Sequence, residues 1–145
     1  MKSLILVLAF LVGSPAFAYG CYILKNDDKT PAGGWAGYVG EMAEMGKNAY
    51  ALIPKGAEDG TPFLGGLRDG IVSTRENDKK IEFGRIDGNR LLSLTNGLII
   101  ATIDSEMTVT SGNHEFMGFA RGDDCTPSSA LAGVAIAYYI DPTHR

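Results

Sequence analysis

The sequence predicts an α+β fold that is mainly β: an antiparallel meander of about five or more strands, curled or barrel-like, with one or two short helices and one disulfide staple. Three observations lead there. Across residues 98–110, Ile99, Ala101, Ile103, Met107 and Val109 alternate with Thr102, Asp104, Glu106, Thr108 and Thr110, the pattern of a strand with one buried and one wet face. Turn signals recur between apolar runs at Asp87-Gly88-Asn89 and Asn96-Gly97, and Asn-Gly is a strong hairpin signal. Two cysteines, Cys21 and Cys125, flank nearly all of this pattern.

Residues 1–18 read as an export signal. Lys2 gives a basic start, Leu4 to Val12 is apolar without interruption, and Ala16-Phe17-Ala18 places small residues where a signal peptidase reads. That apolar run is about half of the roughly 20 residues a membrane-spanning helix needs. Cleavage is expected after Ala18, leaving residues 19–145 as a single small globular domain, periplasmic or secreted. Gly20-Cys21 raises the alternative of a lipidated cysteine, against which the bulky Tyr19 argues. In an oxidising compartment Cys21 and Cys125 are expected to pair, since there is no C-x-x-C spacing and no histidine close to either in sequence.

Along the remaining chain, Tyr38, Val39, Met42 and Met45 recur at helical spacing with Glu41, Glu44 and Lys47 opposite, which predicts a short amphipathic helix ending near Gly46. Residues 49–53, stopped by Pro54, suit a strand. Residues 71–75, 79–86, 90–95, 98–110 and 114–120 form the five-stranded meander. The fourth is more than twice a typical strand length and must bend or break, with Ser105, the one polar residue in its buried register, marking the place. Residues 130–140 fit either state: Val134, Ile136, Tyr138 and Ile140 alternate as in a strand, whereas Thr126-Pro127 is a helix start and favours helix.

Chemistry is sparse. The formal net charge is −4, no basic cluster exists, and nucleic acid is excluded as a partner. Of two histidines, His144 lies beside the C-terminus, and His114 is accompanied by neither a G-x-S-x-G nor an S-x-x-K motif. The text His-Glu-Phe-Met at His114 fails the zinc hydrolase pattern at its second ligand. Met42, Met45, His114 and Met117 are the ligand types that select copper(I), although methionine at regular spacing is more often core filling. Glycines 33, 34, 37 and 40 lack the strand and the Lys-Ser/Thr of a phosphate loop. Arg121-Gly122-Asp123 reads as a turn beside Cys125, and Asp27-Asp28 and Asp123-Asp124 lack the alternation of a calcium loop. No cofactor or metal site is expected.

The reading that remains is an exported, non-catalytic binding module with a protein or envelope-component partner. A small hydrolase using His114 and a periplasmic copper protein are the alternatives. Tyr19, Tyr22, Trp35 and Tyr38, an aromatic group near the N-terminus, are the candidate contact residues, because such side chains are enriched at binding surfaces.

Overall fold

Each strand pairs with its neighbour in sequence and the first also pairs with the last, so the sheet closes on itself. The structure, a computed structural model, describes residues 20–25 and 37–141. The expected signal segment 1–18 lies outside them, as do Tyr19, Asp27, Asp28, Gly33, Gly34, Trp35 and His144. The strands are β1 (Tyr22–Leu24), β2 (Tyr38–Gly46), β3 (Ala49–Pro54), β4 (Gly65–Arg68), β5 (Ile71–Glu76), β6 (Lys79–Asp87), β7 (Arg90–Ser93), β8 (Ile99–Ile103), β9 (Thr108–Ser111) and β10 (Phe116–Arg121), followed by one helix, α1 (Pro127–Ile140). All ten strands form an antiparallel barrel, closed by β1 between β10 (Tyr22↔Arg121) and β2 (Tyr22↔Glu41).

Tight turns set the register. Asp69 and Gly70 (φ 50 and 83°) join β4 to β5, and Asn77 and Asp78 (φ 53 and 62°) join β5 to β6. Both pairs have the two left-handed central residues that match the twist of flanking strands. The run 98–110 does not bend; it reverses. Asp104 Oδ1 accepts from the amides of Glu106 at 2.8 Å and Thr108 at 3.0 Å, Met107 takes φ 63°, and β8 and β9 emerge on either side of the turn at Ser105. A short acidic side chain bonding its own downstream amides is a local competitor to strand extension, and here it wins.

The amphipathic helix expected at 38–46 is instead β2. Its backbone groups pair with β1 on one edge and β3 on the other. Gly40 and Met42 are buried in alternate register while Met45 is 52% exposed, so the two methionines of the supposed helical stripe face opposite sides of the wall.

A ten-stranded barrel encloses more space than wall side chains alone can fill. The C-terminal segment supplies the rest: α1 lies against strands β1 to β5 and β7 to β10, and every residue from Ser129 to Ala137 is buried. A helix buried on all faces inside a closed ring of strands is a plug running through the lumen. It is thin enough because Ala130, Ala132, Gly133, Ala135 and Ala137 keep its surface small. Its start is satisfied internally, with Ser129 N donating to Thr126 Oγ1 and Thr126 N to Ser129 Oγ, each at 3.0 Å. A capping box closed by serine rather than glutamate puts no charge in the lumen, and Ser129 is fully buried.

Polarity is apolar inside and charged outside. Ile23, Met42, Leu52, Leu67, Val72, Leu91, Ile103, Val109 and Met117 pack with the plug, whereas Arg68, Arg75, Lys80, Glu82, Arg85, Arg90 and Arg121 are exposed. No helix among the described residues is long and apolar enough to cross a membrane. We call the end holding Thr126 the lower end and the end where α1 leaves the barrel the upper end. At the lower end Cys21 is bonded to Cys125. At the upper end Lys25 Nζ lies 3.3 Å from Asp141 Oδ2, so both ends of the plug are tied beside β1.

Candidate functional site

The plug leaves open space beside both its start and its last turns. Beside its last turns a cavity of about 400 Å³ opens at the upper mouth. Strands supply Glu76 at the end of β5, Phe83 on β6, Ile100 on β8 and Met117 on β10; the plug supplies Ala135, Tyr138 and Tyr139. Phe83 and Tyr139 are stacked, with ring centres 4.8 Å apart and planes at 20°. This fixes one wall of the cavity, because an offset stack orients both rings. The β7–β8 register shifts between Leu91 and Leu92, opposite residues 99–101, and Ile100 reaches the cavity from that irregular stretch. Ala135 leaves the space open from the plug side. Glu76 is the one carboxylate in the lining.

Larger hollows exist elsewhere. One of about 560 Å³ lies beside Pro54, Thr61, Pro62, Asn77 and Asp78, and one of about 550 Å³ lies at the lower end beside Asn48, Asp69, Gly70 and Ser128. The first is walled largely by connections between strands; the second takes Tyr50, Leu67 and Ile86 from strands and Thr126 and Ser128 from the start of the plug, and the mouth cavity differs from both in its aromatic and thioether lining of Phe83, Met117, Tyr138 and Tyr139.

Of the aromatic residues expected to form a contact, the structure brings together Tyr22 and Tyr38, whose ring centres are 5.9 Å apart in an edge-on arrangement. They belong to the barrel wall where β1 meets β2. Burial, then the Glu41 carboxylate, then that of Asp124 raise the Tyr22 phenol above its ordinary value; burial, Glu41 and Tyr22 do the same for Tyr38. Tyr19 and Trp35 lie outside the described residues.

His114 occupies the β9–β10 turn with φ 67°, exposed to solvent. Ser111 Oγ, the neighbouring hydroxyl, accepts from the amides of Asn113 and Glu115. Met42 is in the lumen, Met45 on the outer wall toward the lower end and His114 at the upper end, so these side chains do not converge. No group of three or more His, Cys, Asp or Glu suited to a metal ion exists among the described residues. The guanidinium of Arg121 stands 4.4 Å over the Phe119 ring and donates to the Ala120 carbonyl at 2.9 Å, while Asp124 accepts from the Gly20 amide at 2.8 Å. These two residues are thereby engaged in holding the barrel wall and its closing strand.

Sequence reasoning missed the cavity residues. Phe83, Ile100 and Met117 sit in recognisable strands, but nothing in the chain tells that they meet Tyr138 and Tyr139. Comparison with family models, with curated proteins and with solved structures finds no match for this chain.

Proposed function

We propose that the chain is an exported, non-catalytic binding domain that engages a protein partner at the upper end of its barrel. One observation carries the reading. Among the described residues six large apolar side chains are exposed, and four of them, Leu94, Leu98, Ile99 and Phe116, lie in connections or strand starts at the upper end of the adjacent strands β7 to β10, while Phe63 and Met45 share a hollow on the wall of β2 to β5. Exposed apolar side chains gathered at one place mark interaction surfaces, whereas scattered ones need no explanation. Leu98 is the most exposed at 66%. An overall charge of −4 disfavours an anionic lipid surface, so a protein is the better partner. Export is supported by residues 1–18 and by the Cys21–Cys125 bond, which persists in oxidising compartments. Tyr22 and Tyr38 are secondary contact candidates on the adjoining wall.

The test compares partner capture from an envelope extract by the native protein, by a Leu98→Asp/Phe116→Asp variant and by Arg85→Glu on the outer wall. The expected result is one protease-sensitive partner retained by the native protein and by Arg85→Glu, and lost by the rim variant at unchanged melting temperature. Equal capture by the rim variant overturns the proposal, as does a hydrolytic turnover abolished by His114→Ala.

A further inference from the structure

We propose that the hollow on the outer wall, across β2 to β6, binds a small apolar carboxylate, one anionic group on a body the size of a single ring or branched chain. The inference goes beyond the protein-binding reading, because the hollow is separate from the exposed rim of β7 to β10.

The body of the ligand follows from the floor and sides. The hollow has a volume of about 330 Å³. Ala49 and Ala51 on β3 and Gly66 on β4 give it a floor of small residues, with Ala51 directly opposite Gly66 in the strand pairing. Met45 and Phe63 are the large apolar side chains of the lining that stay exposed, at 52% and 40%. An apolar body lying on that floor takes both out of water. The volume lies at the small end of ligand sites and suits one ring with a short chain.

The sign of the charge follows from the polar groups. Arg68, Arg75 and Lys80 line the hollow and, among the described residues, no carboxylate does. Arg75 lies 3.4 Å from Asp78 and Lys80 3.6 Å from Glu82, exposed pairs that hold little free energy and exchange readily for a ligand. Arg68 has no ion-pair partner among the described residues.

Ser73 marks where the anion sits. Its neighbours Val72 and Thr74 are fully buried, whereas Ser73 faces the hollow at 9% exposure, and its hydroxyl has no hydrogen-bond partner among the described residues. A hydroxyl so nearly enclosed and left unpaired costs free energy that a ligand oxygen recovers. Across β4 and β5, Arg68 is opposite Ile71 and Gly66 is opposite Ser73, which puts Arg68 and Ser73 about 7 Å apart along the strands. An extended arginine side chain covers that length, so guanidinium and hydroxyl donate to one carboxylate while its hydrocarbon lies over Ala51 and Gly66. Such charge-assisted bonds in the fixed fork of an arginine are strong and select a planar anion.

The probes are 3-phenylpropanoate, 2-phenylethylamine, acetate and the peptide Ac-Gly-Glu-Gly-NH2, titrated into the oxidised protein and followed by amide chemical shifts. The expected result is saturable shifts at Ala51, Gly66 and Ser73 with 3-phenylpropanoate, and binding weaker by about tenfold or more for the amine, which lacks the charge, and for acetate, which lacks the body. Arg68→Gln is expected to weaken 3-phenylpropanoate by about tenfold and Ser73→Ala by about threefold. Ala51→Leu, which fills the hollow from its floor, is expected to abolish binding; Arg68→Gln, at the exposed end of β4, reports even where the larger side chain disturbs the wall. Equal affinity for the amine or for acetate, undiminished affinity in Arg68→Gln or in Ser73→Ala, shifts confined to other parts of the barrel, or no saturation by about 10 mM overturns the inference. The peptide binding as tightly as 3-phenylpropanoate also overturns it, by assigning the hollow to an acidic segment of a protein. Leu98→Asp separates the two proposals: it is expected to leave carboxylate binding intact while removing the protein partner.

Discussion

Gly133 of the plug faces Ile23 of the closing strand so closely that a Cβ built on Gly133 falls 2.6 Å from Ile23 Cδ1, and also 2.6 Å from Met42 Cγ. Real side chains do not approach to that distance, so any larger residue here requires Ile23 and Met42 to shift. Alanine gains about 1 kcal/mol of helix propensity, while overpacking a filled core costs about 1 to 3 kcal/mol. Packing wins: Gly133→Ala is expected to lower unfolding free energy by about 1 kcal/mol, and Gly133→Val by more, as read from urea denaturation midpoints at unchanged slope.

The Cys21–Cys125 bond encloses a sequence separation of 104 residues and joins β1 to the start of the plug. On loop-closure grounds such a crosslink contributes about 4.7 kcal/mol, with measured losses for native bonds of about 2 to 5 kcal/mol. A Cys21→Ser/Cys125→Ser variant, or the reduced protein, is expected to unfold at clearly lower denaturant, and intact mass under oxidising conditions is expected to show no free thiol.

Tyr22 and Tyr38 make stability fall at high pH. Both phenols are raised in the folded state, first by burial and then by Glu41. Their neutral forms are therefore favoured by folding, and the associated stability is fully present below the unfolded value near 10 and lost as pH rises through the folded values. Tyrosinate absorbance is expected to show two phenols titrating late in the native protein. Glu41→Gln is expected to bring both part of the way back, since desolvation, the larger cause, remains.

At His114 the backbone φ of 67° is left-handed, a conformation that disfavours a residue with a Cβ by about 1 to 2 kcal/mol. Glycine removes that cost but carries more unfolded-state freedom, about 0.4 to 1 kcal/mol. His114→Gly is expected to stabilise the protein by about 0.5 kcal/mol, a rise of roughly 2 °C in melting temperature.

Most strands from Ile71 onward were legible because their buried faces carry large apolar side chains and their turns carry glycine or asparagine; the exception is 98–110, read as one strand but split into β8 and β9 by Asp104-Ser105-Glu106-Met107, a turn with neither residue. Upstream, that signal thins. Gly40 in β2 and Gly65 in β4 are buried wall positions with no side chain to register in a periodicity. Without Gly40, the spacing of Tyr38, Val39, Met42 and Met45 imitates a helix. The plug was ambiguous for the opposite reason: surrounded by wall, it is apolar on every face and shows no amphipathic period. The mouth cavity was not legible at all. Its members come from β5, β6, β8, β10 and α1, and only closure of the barrel makes them neighbours.

The plug follows all ten strands in the chain, yet the strands surround it, and this fixes an order of assembly. Strands β2 to β10 join through successive hairpins, contacts of short sequence range that form early. β1 alone pairs across the whole domain, Tyr22 with Arg121. With α1 inside the ring, the expected order is that α1 is seated before or as the ring shuts, since the apolar concave side of strands β2 to β10 has no other cover among the described residues. Docking of β1 ends the process, and it brings Cys21 to Cys125. Oxidation of that pair is therefore expected to accompany closure of the ring, and a chain truncated before Pro127, which lacks the plug, is expected to expose the apolar inner wall and to aggregate more readily.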